Sequence, residues 1–158
     1  MTEKSKRQKI VDAVDALFKT IRISNGYDTD IGQNVEWWKT RLTPAALPSI
    51  VCRDRLLPPE ADNRWRRRLI IEIEIFLSPA SPASDPAEEM RKALADIETC
   101  IGADTSDGNL PGTWGGIAED TELYESEQMG INDWESSIIA DGFGIIIEYT
   151  TEAWNPRA

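Results

Sequence analysis

Arg68-Leu69-Ile70-Ile71-Glu72-Ile73-Glu74-Ile75-Phe76-Leu77-Ser78 decides the fold. Successive side chains of an extended chain point to opposite faces, so Leu69, Ile71, Ile73, Ile75 and Leu77 share one side. Ile70, Glu72, Glu74 and Phe76 share the other. A helix would scatter the same residues around its circumference. The alternation and the β-branched content predict the central strand of an antiparallel sheet, with an apolar face that the rest of the chain must cover. Glu72 and Glu74 lie on the second face, roughly 6–7 Å apart by the two-residue repeat. A carboxylate pair at that separation could do acid–base chemistry. Alternate acids on a strand more often mark the solvent side of a half-buried sheet, and no nucleophile or histidine accompanies these two.

Two amphipathic segments offer the cover. In residues 6–23, Ile10, Val11, Val14, Leu17, Phe18 and Ile21 recur at helical spacing, and Ser24-Asn25-Gly26 supplies a left-handed stop. Asp85-Pro86-Ala87-Glu88 is a helix start, with Asp85 as N-cap, Pro86 at the first position and Glu88 able to close a capping box. That helix is expected to run to about residue 101 with Met90, Leu94, Ile97 and Ile101 as its stripe. Further strands are expected at 35–41, 49–53, 119–128 and 137–149. The acids of the fourth segment favour a sheet edge, and Gly142 and Gly144 suggest a bend or bulge in the last. The expected architecture is therefore α+β: a mainly antiparallel sheet of four to five strands with two helices packed on one face. Residues 1–158 read as a single domain. Within it, 53–68 are expected to form a long basic hairpin loop, 79–84 a Pro/Ser linker and 150–158 a loose tail.

A chain of 158 residues buries roughly 70% of its unfolded surface and needs no staples. It contains no histidine, so the commonest zinc ligand and general base are both missing. Cys52 and Cys100 match no metal spacing, and Asp28 and Asp30 lack the further ligands of a calcium loop. Phosphate-binding loops, dinucleotide fingerprints and nucleophile elbows are absent. No catalytic residue, cofactor or metal is expected. The polar first residues do not resemble a signal peptide, and no apolar run approaches the ~20 residues of a membrane helix. A reducing cytoplasm with free thiols is the expected setting.

The net charge of -11 is unevenly spread. Residues 1–22 and 53–68 each carry +3, residues 23–52 carry -1, and residues 69–158 carry -16. The most basic run is Arg64-Trp65-Arg66-Arg67-Arg68. It could grip nucleic-acid phosphates, with Trp65 stacking on a base. It could equally meet the acidic half of another copy, or be a solvated loop without a partner. The overall acidity and the lack of a nucleic-acid fold pattern count against the first. Six tryptophans are present. Trp37 and Trp38 are neighbours on a strand, so one must leave the core, while Trp65, Trp114 and Trp134 fall in loop-like stretches that favour contact surfaces. The interface candidates are Trp38, Arg64, Trp65, Arg66, Arg67 and Arg68.

The first helix leading into Asn25-Gly26-Tyr27-Asp28-Thr29-Asp30-Ile31-Gly32, followed by a strand, a proline-interrupted connection and the alternating central strand, resembles the tail terminator (minor tail, or tail-completion) proteins of long-tailed bacteriophages and prophages. The likeness covers roughly residues 7–149. It implies a small α+β domain that assembles into a homo-oligomeric ring, a hexamer in that family, on the end of the tail tube. Tail-tube protein and head–tail connector protein are the implied partners, and no catalytic residues carry over. The implied setting is the host cytoplasm during assembly and then the virion tail. A small nucleic-acid-binding factor using Arg64–Arg68 is the alternative.

Overall fold

The computed structural model describes residues 2–40, 42, 46–78, 85–103, 111–124 and 139–158. Strand β3, Arg66–Leu77, is the middle of a five-stranded sheet ordered β1-β2-β3-β5-β4. The others are β1 (Val35–Trp37), β2 (Ser49–Leu56), β4 (Asp120–Tyr124) and β5 (Ile139–Thr150). Two helices, α1 (Lys6–Phe18) and α2 (Pro86–Ala103), complete an α+β fold. Leu69, Ile71, Ile73 and Ile75 are buried against Ile10, Val14 and Phe18 of α1 and Met90, Ala93 and Ile97 of α2. Each such side chain contributes about 1.5–3 kcal/mol relative to leaving it in water. Both cysteines are fully buried in this layer, Cys52 on β2 and Cys100 on α2, and neither forms a disulfide.

The sheet is mixed rather than wholly antiparallel. β3 runs antiparallel to β2 and β5, and β4 antiparallel to β5, but β1 pairs parallel to β2 through Val35↔Ile50 and Trp37↔Cys52. β1 stops short of the expected residue 41 because Trp38 adopts φ 58, in the left-handed region, and turns the chain out of the sheet. Among the described residues β4 has a neighbour on one side only, the edge position its acids favour. Residues 125–138, including Trp134 and the rest of the expected fourth strand, lie outside the described residues, as does the linker at 79–84.

Helix α1 ends at Phe18, five residues before the expected residue 23. Thr20, Ile21 and Ile23 are β-branched, and the Thr20 hydroxyl donates to Leu17 O at 2.6 Å, drawing a carbonyl away from helical pairing. Gly26 takes φ 92, but it caps a 3-10 turn at Ile23–Asn25 rather than the helix itself. Helix α2 begins as its sequence dictates: Asp85 Oδ1 accepts from Ala87 N at 3.0 Å, while Glu88 pairs with Lys92 instead of closing the capping box. Gly142 and Gly144 produce no bulge, since the β3–β5 register is continuous from Arg66↔Thr150 to Leu77↔Ile139. They allow close approach instead: a Cβ on Gly142 would lie 2.1 Å from Ile73 O, and one on Gly144 would lie 2.9 Å from the Tyr124 ring.

The turn-rich motif after α1 is held from below. Asp96, buried on α2, accepts from Thr29 Oγ1 at 2.6 Å, Thr29 N at 2.8 Å and Asp28 N at 3.1 Å. Asp30 accepts from Ile23 N, and the Asn25 amide donates to Thr20 O. Gly32 packs so tightly that a Cβ there would lie 2.4 Å from Phe18 O.

Candidate interaction surface

The basic run is not a loop. The chain between β2 and β3 spans only residues 57–65, so Arg53 and Arg55 lie on β2 and Arg66, Arg67 and Arg68 on β3. Strand alternation sends Arg66 and Arg68 to the sheet face away from the helices and Arg67 to the helix-bearing side. Cross-strand acids make this possible, because a strand tolerates successive cations when carboxylates stand opposite. Arg66 is hydrogen-bonded to Glu148 and lies within 4.0 Å of Glu119. Arg68 approaches Glu60 at 3.5 Å, and Arg55 approaches Glu72 at 3.7 Å. Arg64, exposed in the turn, and Arg67 have no ion pair among the described residues.

Arg67 instead lies over the Trp65 ring, its guanidinium carbon 5.8 Å from the centroid. Trp65 meets Trp154 edge-to-face, with centroids 5.4 Å apart and planes at 72°. Trp154 is 91% exposed and adopts φ 57 at the tip of a turn closed by the Glu152–Asn155 bridge. Residues 151–158 are therefore no loose tail. Lys6 N donates to Pro156 O at 2.9 Å, Thr151 N to Trp65 O at 3.0 Å, and Arg157 Nε to Glu3 O at 2.6 Å, tying the segment to the first helix and the start of β3. A cavity of about 300 Å³ opens between Trp65, Arg67, Tyr149, Trp154 and the Ser5–Arg7 end of α1.

A second cavity, of about 440 Å³, shares Ser5 and Arg7 with the first and extends to Trp37 and Trp38. Arg7 separates the two. Its Nε donates to Asp54 Oδ2 at 2.7 Å, Nη2 lies 2.6 Å from the same oxygen, and Nη2 also donates to Asp54 O at 3.3 Å. Asp54 Oδ1 accepts from the indole N–H of Trp38 at 2.9 Å. Trp38 is 56% exposed, whereas Trp37 packs against the core and donates to Asp15 at 3.2 Å. The six interface candidates do not share one face: Trp38 lies on one flank of the Arg7–Asp54 pair and Trp65 and Arg67 on the other, all on the helix-bearing side, whereas Arg66 and Arg68 lie on the opposite face of the sheet and Arg64 in the turn before β3. Trp114 belongs to neither group. It is buried in the core with its N–H on Thr121 at 3.0 Å.

The face away from the helices is less solvated than its two acids suggest. Phe76 and Val51 are buried there with Leu42, Leu47 and Ala140 packed against them, and Ile70 is fully buried. Glu74 is 8% exposed, and among the described residues neither its Oε2 nor Arg53 Nε on the neighbouring strand has a hydrogen-bond partner. Burial pushes the Glu74 carboxyl up to about 7; Arg53 opposes this, and Glu72 and Asp141 add to it. Among the described residues, no group of three or more Cys, Asp or Glu is placed to hold a metal ion, and no helix is long and apolar enough to cross a membrane. Asp28 and Asp30 serve the loop hydrogen bonds described above. Comparison with protein-family models and with curated proteins finds no match.

Proposed function

We propose that this chain is a structural subunit of a long-tailed bacteriophage or prophage tail. It forms a ring, hexameric by resemblance, that caps the tail tube, ends its polymerisation and joins it to the head connector. The observation that carries this reading is the exposed tryptophan–arginine surface around the N-terminus of α1, of the residue types that dominate protein contacts. The resemblance of residues 7–149 to tail terminators supplies the identity of the partners: a second copy, tail-tube protein and connector protein. On this reading the chain performs no catalysis and needs no cofactor, and it works in the host cytoplasm and then in the virion tail. Negative-stain images and solution mass, with and without tail-tube protein, test it. Rings on tube ends and a halt in tube growth are expected; a monomer at millimolar concentration with uncapped tubes overturns it.

The alternative, a nucleic-acid-binding factor using Arg64–Arg68, draws on the Arg67–Trp65–Trp154 stack as a base-stacking platform. It is the weaker reading. Arg66 and Arg68 already face Glu148, Glu119 and Glu60, which leaves too few uncommitted cations to follow a phosphate chain.

A further inference from the structure

We propose that the cavity beside Trp65 and Trp154 is the receptor for the acidic edge strand β4 of a second copy, with Arg67 gripping the carboxylate of that copy's Glu122. This rests on the self-assembly proposed above and specifies its contact. Arg67 is held in place by its stacking on Trp65 but has no carboxylate partner among the described residues. A positioned, half-buried cation facing a cavity of about 300 Å³ accommodates one carboxylate rather than a run of phosphates. Trp154, held at 91% exposure by a hydrogen-bonded turn, gives the cavity an apolar wall open to solvent. Such a ring is a candidate for desolvation in a contact.

The occupant follows from charge and exposure within the chain itself. Residues 69–158 carry -16, so the complement to a free arginine is abundant in every copy. β4 is the edge strand among the described residues, paired there with β5 alone. It carries exposed Glu122, which makes no ion pair among the described residues. Cavity and strand are different patches, so the contact is head-to-tail, the type that closes into a ring when the rotation permits.

The test uses the full chain with Arg67→Glu, Glu122→Arg and the two together, followed by sedimentation velocity across a salt series. Each single reversal is expected to weaken association by about tenfold or more. The double variant, which restores an opposite-charge pair at every contact, should recover most of the loss. Melting temperatures near wild type separate this from misfolding. A second measurement does not depend on assembly: a blocked peptide of residues 117–124 should bind the wild-type chain and bind Arg67→Glu about tenfold more weakly. Peptide binding of this kind without capped tubes would retain the receptor and remove the tail reading. Capped tubes with Arg67→Glu behaving as wild type would remove the receptor and retain the tail reading. Failure of the double variant to recover, or loss of single-stranded DNA binding rather than of self-association in Arg67→Glu, would overturn the proposal.

Discussion

Thr29 is fastened to Asp96 twice, through its hydroxyl at 2.6 Å and its backbone N–H at 2.8 Å, although the two lie far apart in the chain. The pair joins the loop after α1 to the middle of α2, so the motif that carries the family resemblance works here as a clamp between the helices. Replacing Asp96 with alanine leaves the buried Thr29 N–H and hydroxyl without their acceptor and takes a partner from the Asp28 N–H. The expected loss is about 2–4 kcal/mol, against about 1 kcal/mol for Thr29→Val, which removes one hydrogen bond. Urea unfolding of the two variants checks the ranking; equal losses would show that the clamp is not the shared acceptor.

Two glycines give opposite expectations for the same substitution. Gly32→Ala forces a methyl to within 2.4 Å of Phe18 O and 2.7 Å of Ile21 O, and should cost about 1–3 kcal/mol or more. Gly102→Ala, in α2 with open space around it, should be neutral or stabilising by up to about 1 kcal/mol. Thermal melts of the pair decide it, and a neutral Gly32→Ala would contradict the packing.

Glu74 makes stability depend on pH in a definite direction. With its folded-state value near 7 and an ordinary value of 4.5, the folded chain holds this proton more tightly than the unfolded one. The stability that proton contributes is full below about pH 4.5 and is lost as pH rises through 7. Glu74→Gln removes the titration, so its stability relative to wild type should rise by about 1–3 kcal/mol between pH 5 and pH 8. Melting both proteins across that range tests the sign. A gap that stays constant with pH would mean the carboxyl is better solvated than its burial indicates.

Trp38 and Trp114 should respond oppositely to truncation. Trp38→Ala removes an exposed ring and one hydrogen bond to Asp54, with a stability loss of about 1 kcal/mol and a clear loss of self-association. Trp114→Ala empties a core site and should cost about 3–5 kcal/mol. Chemical denaturation and sedimentation of the two variants separate contact from core.

The period-2 run at β3 and the two helical stripes were legible because burial on one face imposes a repeat that local sequence must carry. The parallel pairing of β1 was not, since it depends on where residues 38–48 lead the chain after Trp38 leaves the sheet. Arg66–Arg68 read as a loop because consecutive cations look solvated until their acids, Glu148 on β5 and Glu60 in the preceding turn, are known. Trp114 read as surface because the glycine-rich turn around it hides that Thr121 satisfies its N–H. Asp96 was missed altogether: one acid within a helical stripe gives no local sign that three donors converge on it. Around the N-terminus of α1, the tryptophans and arginines could be picked out from the sequence, but not the Arg7–Asp54 pair between the two cavities.

The two silent thiols give the molecule a built-in clock. Cys52 belongs to the sheet beneath α1 and Cys100 to α2, both without access to solvent, and burial raises the Cys52 thiol above its ordinary pKa. A thiol reagent therefore reacts with either only after the layer over it opens, at a rate set by that opening and by the thiolate fraction formed. Because the Cys100 Sγ donates to Leu17 O of α1 at 3.4 Å, its labelling would time the parting of α1 from α2, and that of Cys52 the uncovering of the sheet.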